Sequence, residues 1–496
     1  MNIRRLSLST AFVAISTLLA GAGSITSSSA VAQPDPVPAP APAVKPATPT
    51  TAAMPNLSER QKNVLRQLLD KAGEQGLRPP TGGAAALNDQ ALVQQALDYA
   101  AAMHGQRLRS EDFLRDWGLH PLPFDPRPSF ITAVNTDRLD EWAGTLAPPY
   151  AGYDALRQGL AYYRKVAANG GWPQIPAGPD LAMGATGERV DALRRRLAAE
   201  NGVTPKGLGQ PYDAALADEV REAQKRFGIE RTGTVGKQTL AALNVPVNTR
   251  IRQIVANMER WRWLPYKLPA ERIQVNTAAA VLTYFREDRP VMSMRVVTGR
   301  PGHETPILQS QIHSIVLNPP WNVPTSIANK EIWPKARAHP GYLKRAGFRV
   351  ISTSGGKRLQ QVAGPKSALG RVKFDFDNPY GVYLHDTPAK AVFDRYGRLA
   401  SHGCVRMEKP VLLTDQLLRN NPEWTRQTVE AKIQTTDTER VQLGTPVNVL
   451  LLYWTAYGSG NGPLSFRNDP YGWDELLAKK LDAAAGRTII TMGASS

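Results

Sequence analysis

The spacing of the apolar residues changes partway along the chain, and this change most limits what it can fold into. In the first half, apolar residues recur every three to four positions, as in Leu92 and Ala96, which predicts amphipathic helices. In the later part they alternate with polar residues, as in Val372 and Phe374, which predicts half-buried β-strands. With 496 residues, the chain is therefore expected to be a multidomain α+β protein.

The first 32 residues have the pattern of a secretory signal. Arg4 and Arg5 precede an uncharged and mostly apolar run over residues 6–22, and the small residues at 30–32 offer a cleavage site. Cleavage before Gln33 would send the chain to the periplasm without a transmembrane segment. An uncleaved anchor is the alternative, but the run falls short of the ~20 apolar residues that a membrane span prefers.

Composition and periodicity predict the order of the mature segments. Asp213 is a predicted N-cap and Gly228 a predicted helix end within the second helical unit. Residues 319–364 are interpreted as an insertion of loops and short helices that caps a site. The expected segments are a Pro/Ala-rich linker (33–56), a helical domain (57–178), a compact three-helix unit (179–248), a linking helix (249–269), a β-rich domain (270–458) and a C-terminal extension (459–496).

The charge balance indicates an acidic partner. Sixty Lys and Arg against 43 Asp and Glu give a net charge of +17, which suits an acidic cell-envelope polymer or surface. The charge is spread along the chain and no nucleic-acid-binding motif accompanies it, so no nucleic acid is expected as a partner. One cysteine excludes an intramolecular disulfide, and the histidines lack metal-ligand spacing, so we expect no metal and no cofactor.

The only cysteine, Cys404, lies in a loop with reactive chemistry. His402 and Arg406 flank it, and such cationic neighbours lower the pKa of a thiol and increase its thiolate fraction. Gly403 lets backbone amides approach an oxyanion. His385 follows an apolar strand 19 residues earlier and is the candidate general base. The alternative is an inert buried cysteine, but an exported protein rarely keeps an unpaired thiol between such neighbours.

Several stretches resemble the L,D-transpeptidases, cysteine enzymes that cross-link peptidoglycan. Residues 184–240 resemble a small peptidoglycan-binding module, and residues 146–150 and 170–173 resemble the scaffold domain of the large periplasmic members. The resemblance implies a helical scaffold domain, a three-helix peptidoglycan-binding module and a β-rich, sandwich-like catalytic domain. The stretches that resemble the catalytic domain are Asn318–Ile327, Gly370–Phe374, Tyr383–Pro388, Ser401–Arg406, Tyr453–Tyr457 and Asp469–Gly472.

The resemblance also implies a reaction. Cys404 would attack the third residue of a tetrapeptide stem, usually diaminopimelate, and expel the terminal D-Ala. The side-chain amine of a second stem would resolve the thioester and give a 3→3 cross-link, as part of cell-wall biogenesis and cell shape. His385 would be the base, and the amides of Gly403 and Cys404 the oxyanion donors. A carbapenem would acylate the same thiol.

Other residues of the resemblance have two interpretations each. His402 would orient the site or merely pack the loop, and Arg406 would hold a stem carboxylate or brace the loop. Tyr383 and Trp321 would face the substrate or pack beneath it. Asp386 is similar to the acid of a triad, but it is not assigned that role, because a backbone carbonyl usually orients the histidine in this family.

Two other functions stay open. The same acyl-enzyme could be resolved by water, which would make the protein an L,D-carboxypeptidase, or by another acceptor such as a protein lysine. From another class, the chain would be a non-catalytic peptidoglycan-binding scaffold protein. The intact pair Cys404 and His385 argues against the second.

Overall fold

The structure is a computed structural model, and it describes residues 54–354, 356–458 and 463–490. The predicted signal peptide and nearly all of the predicted linker lie outside the described residues. Within the described ranges, no helix is both long and apolar enough to cross a bilayer.

The N-terminal region is helical, as its periodicity predicts. Ser58 begins the first helix with a capping box, in which its hydroxyl accepts from the Gln61 N–H and Gln61 bonds back to Ser58. Asn88 caps the second helix by accepting from the Ala91 N–H. The helices are α1 (Glu59–Asp70), α2 (Asp89–Met103), α3 (Arg127–Asn135), α4 (Leu139–Thr145) and α5 (Ala151–Ala168), joined in part by short 3-10 turns.

Three further helices form the compact unit predicted around residues 179–248. They are α6 (Glu188–Asn201), α7 (Ala214–Phe227) and α8 (Lys237–Leu243). Both predicted ends of α7 are confirmed. The Asp213 carboxylate accepts from the Leu216 N–H at 2.8 Å, and Gly228 ends the helix in the left-handed region with φ 64°.

The predicted linking helix, α9 (Val247–Arg262), is buried along most of its length. It packs against α5 and against the C-terminal helix α15 (Trp473–Ala484). Asn257 on α9 donates to the Thr455 hydroxyl at 2.7 Å and accepts from its N–H at 3.0 Å. One apolar core therefore runs through the helical region, α9 and the C-terminal segment.

The β-rich domain is built on one nine-stranded sheet in the order β10-β3-β11-β9-β8-β4-β12-β1-β2. Strand β2 also pairs with β3, so the sheet closes on itself around a second apolar core. Helices α13 (Pro410–Leu418) and α14 (Arg426–Gln434) supply part of that core. The strands are β1 (Arg272–Asn276), β2 (Val281–Arg286), β3 (Arg289–Gly299), β4 (Leu308–Leu317), β8 (Val372–Phe376), β9 (Leu384–His385), β10 (Leu399–Ser401), β11 (Val405–Met407) and β12 (Glu439–Leu452), with a separate pair β13 (Ala456–Tyr457) and β14 (Ser465–Phe466).

The capping insertion (residues 319–364) has more regular structure than expected. Loops and short helices were predicted, but the insertion also contains a three-stranded sheet in the order β5-β7-β6. Residues 348–353 and 356–361 form its longest hairpin. Phe348, Arg349 and Val350 alternate, but Ile351 interrupts the pattern, so the period-2 signal is too short to be distinctive. Its elements are β5 (Trp321–Asn322), α10 (Thr325–Ile327), a π-helical turn (Ala328–Ile332), α11 (Trp333–Ala338), α12 (Tyr342–Arg345), β6 (Phe348–Thr353) and β7 (Gly356–Gln361).

Candidate active site

Strand pairing places the predicted nucleophile and the predicted base on neighbouring segments of the sheet. Strands β9 and β11 are parallel neighbours, with His385 opposite Arg406. The Val405 N–H donates to the Tyr383 carbonyl at 3.0 Å, which sets Cys404 beside the start of β9. Tyr383 and His385 are two residues apart along the chain, and their rings lie 5.5 Å apart.

Hydrogen bonds within the loop hold the backbone on both sides of the thiol. Gly403 has φ 109°, a conformation that residues with a Cβ rarely adopt. The Ser401 hydroxyl donates to the Cys404 carbonyl at 2.6 Å and accepts from the Gly403 N–H at 3.2 Å. The Thr305 hydroxyl donates to the Gly403 carbonyl at 2.8 Å. The loop is therefore preorganised before any substrate arrives.

The two backbone amides predicted as oxyanion donors differ in whether they already have a hydrogen-bond acceptor. The Gly403 N–H already donates to Ser401, through a bond that is long for an N–H donor. The Cys404 N–H has no acceptor within hydrogen-bonding distance among the described residues. The amide of Cys404 is therefore the donor that is free to bind a developing negative charge.

The thiol of Cys404 is more strongly protonated than the sequence suggested. Burial raises its pKa above the ordinary value, although hydrogen bonds from Tyr383 and the charges of Lys373 and Arg406 act in the opposite direction. Of the two cationic neighbours predicted from the sequence, His402 and Arg406, it is Arg406 that acts on the thiol with the expected sign. Their net result was predicted wrongly, because the cost of burying a thiolate exceeds their effect.

The imidazole of His385 is neutral over the ordinary pH range. Burial, and after it the charge of Arg406, lower its pKa to about 3, although hydrogen bonds with the backbone at Asp386 and Leu369 act in the opposite direction. A neutral imidazole can accept a proton from a neutral thiol. The resting pair is therefore thiol and imidazole rather than thiolate and imidazolium.

Tyr383 connects the thiol to the insertion. The Trp321 indole N–H hydrogen-bonds the Tyr383 hydroxyl, and that hydroxyl hydrogen-bonds Cys404. Burial, and then the neighbouring thiol, raise the pKa of Tyr383. The ammonium of Lys373 lies 4.5 Å from the centre of the Tyr383 ring. Three residues that the sequence singled out thus meet at one point.

His402 forms a second connection to the insertion. Its Nε2 atom lies 2.6 Å from the Glu331 carboxylate and 3.1 Å from the Arg300 guanidinium, and its ring lies edge-on to His303 at 4.9 Å. Sequence reasoning missed Glu331. The available signal was that it is the only acidic residue between positions 319 and 364.

Arg406 and Asp386 differ in whether their charged groups have hydrogen-bond or ion-pair partners. The guanidinium of Arg406 forms no hydrogen bond or ion pair with any described residue, so nothing supports the interpretation that it braces the loop. Asp386 accepts from the Arg371 N–H at 2.8 Å and pairs with Lys390. Among the described residues, no hydrogen bond joins the Asp386 carboxylate to the His385 ring. No group of three or more candidate metal ligands occurs in the described ranges.

Comparison with protein families identifies the β-rich domain. Residues 270–449 match the family model described as the L,D-transpeptidase catalytic domain. Residues 186–243 match a "Putative peptidoglycan binding domain", and residues 54–160 match the scaffold domain family.

A protein relative is also similar to part of this chain. A Haemophilus influenzae protein named "Putative L,D-transpeptidase" is 30% identical over 263 residues, which cover 49% of this chain and 53% of that protein. This chain thus matches about half the length of its relative.

Two solved structures give weaker likenesses. The catalytic domain of an E. faecium L,D-transpeptidase acylated by ertapenem is 12% identical, with a TM-score of 0.18 over 38% of this chain and 99% of that one. An L,D-transpeptidase from Xylanimonas cellulosilytica is 17% identical, with a TM-score of 0.17 over 56% and 99%. At such TM-scores the superpositions add nothing about the geometry of this chain.

Proposed function

We propose that this protein is a periplasmic peptidoglycan L,D-transpeptidase that forms 3→3 cross-links through an acyl-enzyme on Cys404. One observation carries the proposal. The only thiol of the chain lies in the L,D-transpeptidase catalytic domain, at the end of a strand that pairs with the strand of a neutral histidine. A neutral thiol beside a neutral imidazole is the arrangement that general-base attack on a carbonyl requires.

In the first half-reaction, His385 accepts the thiol proton while the sulfur of Cys404 bonds to the carbonyl carbon of the third stem residue. The charge on the carbonyl oxygen is stabilised by the free Cys404 N–H, and by the Gly403 N–H if its weak bond to Ser401 is released. The bond to the nitrogen of the terminal D-Ala then breaks, and that nitrogen takes the proton from His385. A thioester and free D-Ala result.

In the second half-reaction, the side-chain amine of another stem attacks the thioester. His385 accepts a proton from this amine, the carbon–sulfur bond breaks, and the proton passes to the departing sulfur. The thiol is regenerated, and the new amide joins the third residues of two stems. No ATP, metal or cofactor is needed for this balance.

The other site residues have binding and orienting roles in this proposal. Arg406, whose guanidinium has no partner among the described residues, would bind a stem carboxylate. Tyr383 would donate to the sulfur as it gains negative charge, and Trp321 would hold Tyr383 and cover the bound peptide. His402 would orient the loop through Glu331.

The remaining segments would bring the catalytic domain to its substrate. The proposed signal peptide (1–32) exports the chain and the linker (33–56) extends from it. The scaffold domain (57–178) and the peptidoglycan-binding domain (179–248) lead through the linking helix (249–269) to the catalytic domain (270–458) and the C-terminal extension (459–496). The match of residues 186–243 supports binding to the cell wall.

The decisive experiment is mass spectrometry of disaccharide-tetrapeptides incubated with the mature protein and with Cys404→Ala. Dimers that are lighter than two donors by one alanine, linked between third-position residues, are expected only with the intact thiol. Tripeptides without dimers would instead indicate an L,D-carboxypeptidase. No change that depends on Cys404 would favour a non-catalytic scaffold protein.

Acylation by a carbapenem gives an independent test of the thiol. The intact mass of the protein should increase by one covalent adduct, and Cys404→Ala should gain none. The chain has a single cysteine, so the adduct has one candidate sulfur. An unchanged mass of the intact protein would contradict the proposed nucleophile.

A further inference from the structure

The charge of the capping insertion is strongly one-sided. Between residues 319 and 364 there are eight Lys and Arg but one acidic residue, whereas the whole chain has 60 against 43. All eight are exposed. These insertion cations are Lys330, Lys335, Arg337, Lys344, Arg345, Arg349, Lys357 and Arg358.

None of the insertion cations forms an ion pair with a described carboxylate. Arg345 donates to the Pro340 carbonyl and Arg349 bonds to Gln360, so even these two have only neutral partners. The single acidic residue, Glu331, is bound to His402 and is not available to them. The charge of the insertion is therefore uncompensated by its own surface.

In the peptidoglycan-binding domain, by contrast, exposed cations do form ion pairs with carboxylates. There, Arg221 pairs with Asp218 at 2.6 Å, and Arg231 pairs with Glu222 at 2.7 Å. Unpaired like charges repel one another and destabilise the segment that carries them. The insertion has only a small apolar core of its own, and repulsion among its cations lowers its stability further.

The insertion is next to the thiol. Trp321, at its start, hydrogen-bonds the tyrosine that contacts Cys404, and Glu331 contacts the histidine two residues before Cys404. Burial lowers the pKa of His303, beside the same loop, and the charges of Arg300, His402 and Lys330 lower it as well. At least one cation of the insertion thus lies near the loop that carries Cys404.

We propose that the insertion cations form a docking surface for the carboxylate-bearing peptide stems of polymeric peptidoglycan. This deepens the proposed function, because it assigns the recognition of a polymer, rather than of one stem, to the insertion. Each uncross-linked stem ends in a carboxylate, and a strand presents many stems. Many weak contacts then act together, so a polymer binds far more tightly than a single stem. The attraction between these opposite charges is screened by salt, because the Debye length is about 10 Å at 0.1 M.

The test is co-sedimentation of the full mature chain with insoluble peptidoglycan, using a Cys404→Ala background so that no turnover occurs. In one variant, Lys335, Lys344, Lys357 and Arg358 are replaced by Gln. The matched control replaces four exposed cations that also lack ion-pair partners among the described residues and lie outside the insertion and the peptidoglycan-binding domain. These are Lys71, Lys165, Lys267 and Arg289. Thermal unfolding establishes that both variants fold.

The insertion variant should bind peptidoglycan at least about five-fold more weakly, and the control less than about two-fold. Raising the salt from about 0.05 M to about 0.3 M should weaken the parent and control more than the insertion variant. Equal losses in both variants, or no loss, would overturn the proposal. Co-sedimentation with vesicles containing phosphatidylglycerol is the parallel measurement. If the insertion variant lost binding to these vesicles but not to peptidoglycan, the proposal would also be overturned, and a membrane surface would be indicated instead. Because binding is measured without turnover, the docking surface and the proposed reaction succeed or fail separately.

Discussion

The main sheet and the capping insertion meet at Cys404, but they are stabilised differently. The sheet closes on itself around a large apolar core, and this core fixes strands β9 and β11 on which the thiol and the imidazole depend. The core of the insertion has four buried apolar residues, Val323, Ala328, Ile332 and Leu359. The insertion is joined to the thiol loop by two polar connections, Trp321 to Tyr383 and Glu331 to His402. The reacting groups are thus anchored in a much larger apolar core than the element that covers them, so we expect the insertion to open at a lower free energy than the sheet.

A matched pair of truncations tests this difference most directly. Leu451→Ala in β12 removes a fully buried side chain from the sheet and should lower the global free energy of unfolding by about 3–5 kcal/mol. Leu359→Ala removes a comparable side chain from the insertion, and the global value should fall by less than about 1 kcal/mol because the insertion opens by itself. Denaturant unfolding measures the global free energy of unfolding of both variants. Hydrogen exchange of insertion peptides measures the local opening of the insertion. Equal global losses would mean that the insertion unfolds together with the sheet.

The burial of the thiol on the sheet side predicts a steep pH dependence of its reactivity. Because the pKa of Cys404 is raised, the thiolate fraction should increase about ten-fold per pH unit from pH 6 to beyond pH 8. His385 should add no inflection near pH 6.5, because its pKa is lowered to about 3 and it is neutral throughout this range. The rate of alkylation by iodoacetamide measures the profile at the single thiol. A plateau at neutral pH would contradict the raised pKa.

Tyr383 lies where the two regions meet, and removing its hydroxyl should slow the reaction of the thiol. Tyr383→Phe loses a hydrogen bond to the sulfur that is strongest when the sulfur is charged, so carbapenem acylation should be about ten-fold slower. Tyr380→Phe is the control, because its hydroxyl donates to the Arg115 carbonyl and not to the thiol. Its effect should be less than about two-fold. Equal rates for the two variants would remove Tyr383 from the site.

The smallest expected effect concerns the contact between the insertion and His402. Glu331→Gln keeps the shape of the side chain but removes its charge, which should weaken the 2.6 Å contact by about 1 kcal/mol. Hydrogen exchange of residues 321–345 should become several-fold faster. Lys330→Gln alters a neighbouring charge without touching this contact, and it should leave the exchange rate unchanged. Faster exchange in both variants would assign the effect to charge alone.

Local signals explain which parts of the fold were predictable. The capping residue Asp213 and the helix end at Gly228 act within a few residues of themselves, so the sequence carries them completely. The alternation of Val372 and Phe374 likewise predicts β8. The pairing of β9 with β11 depends on residues far apart in the chain, and periodicity contains no information about it.

The same contrast between local signals and long-range contacts applies to the candidate site. Cys404 and His385 could be named as candidates because both lie in short motifs with a known chemistry, and their catalytic roles stay a prediction. The raised pKa of the thiol was not, because burial depends on the whole fold and exceeded the effect of the charged neighbours. Glu331 was missed because its partner is 71 positions away, and an isolated glutamate has no motif.

The continuous core around α9 limits how chains of this kind can recombine. Leu450 and Leu452 of the catalytic domain, Leu464 of the C-terminal segment and Leu160 of the scaffold belong to one apolar cluster. Swapping a single segment between related proteins would therefore replace only one side of a shared packing surface. Viable chimeras should exchange the scaffold, α9 and the C-terminal helix together, so evolution is expected to inherit these distant stretches as one unit.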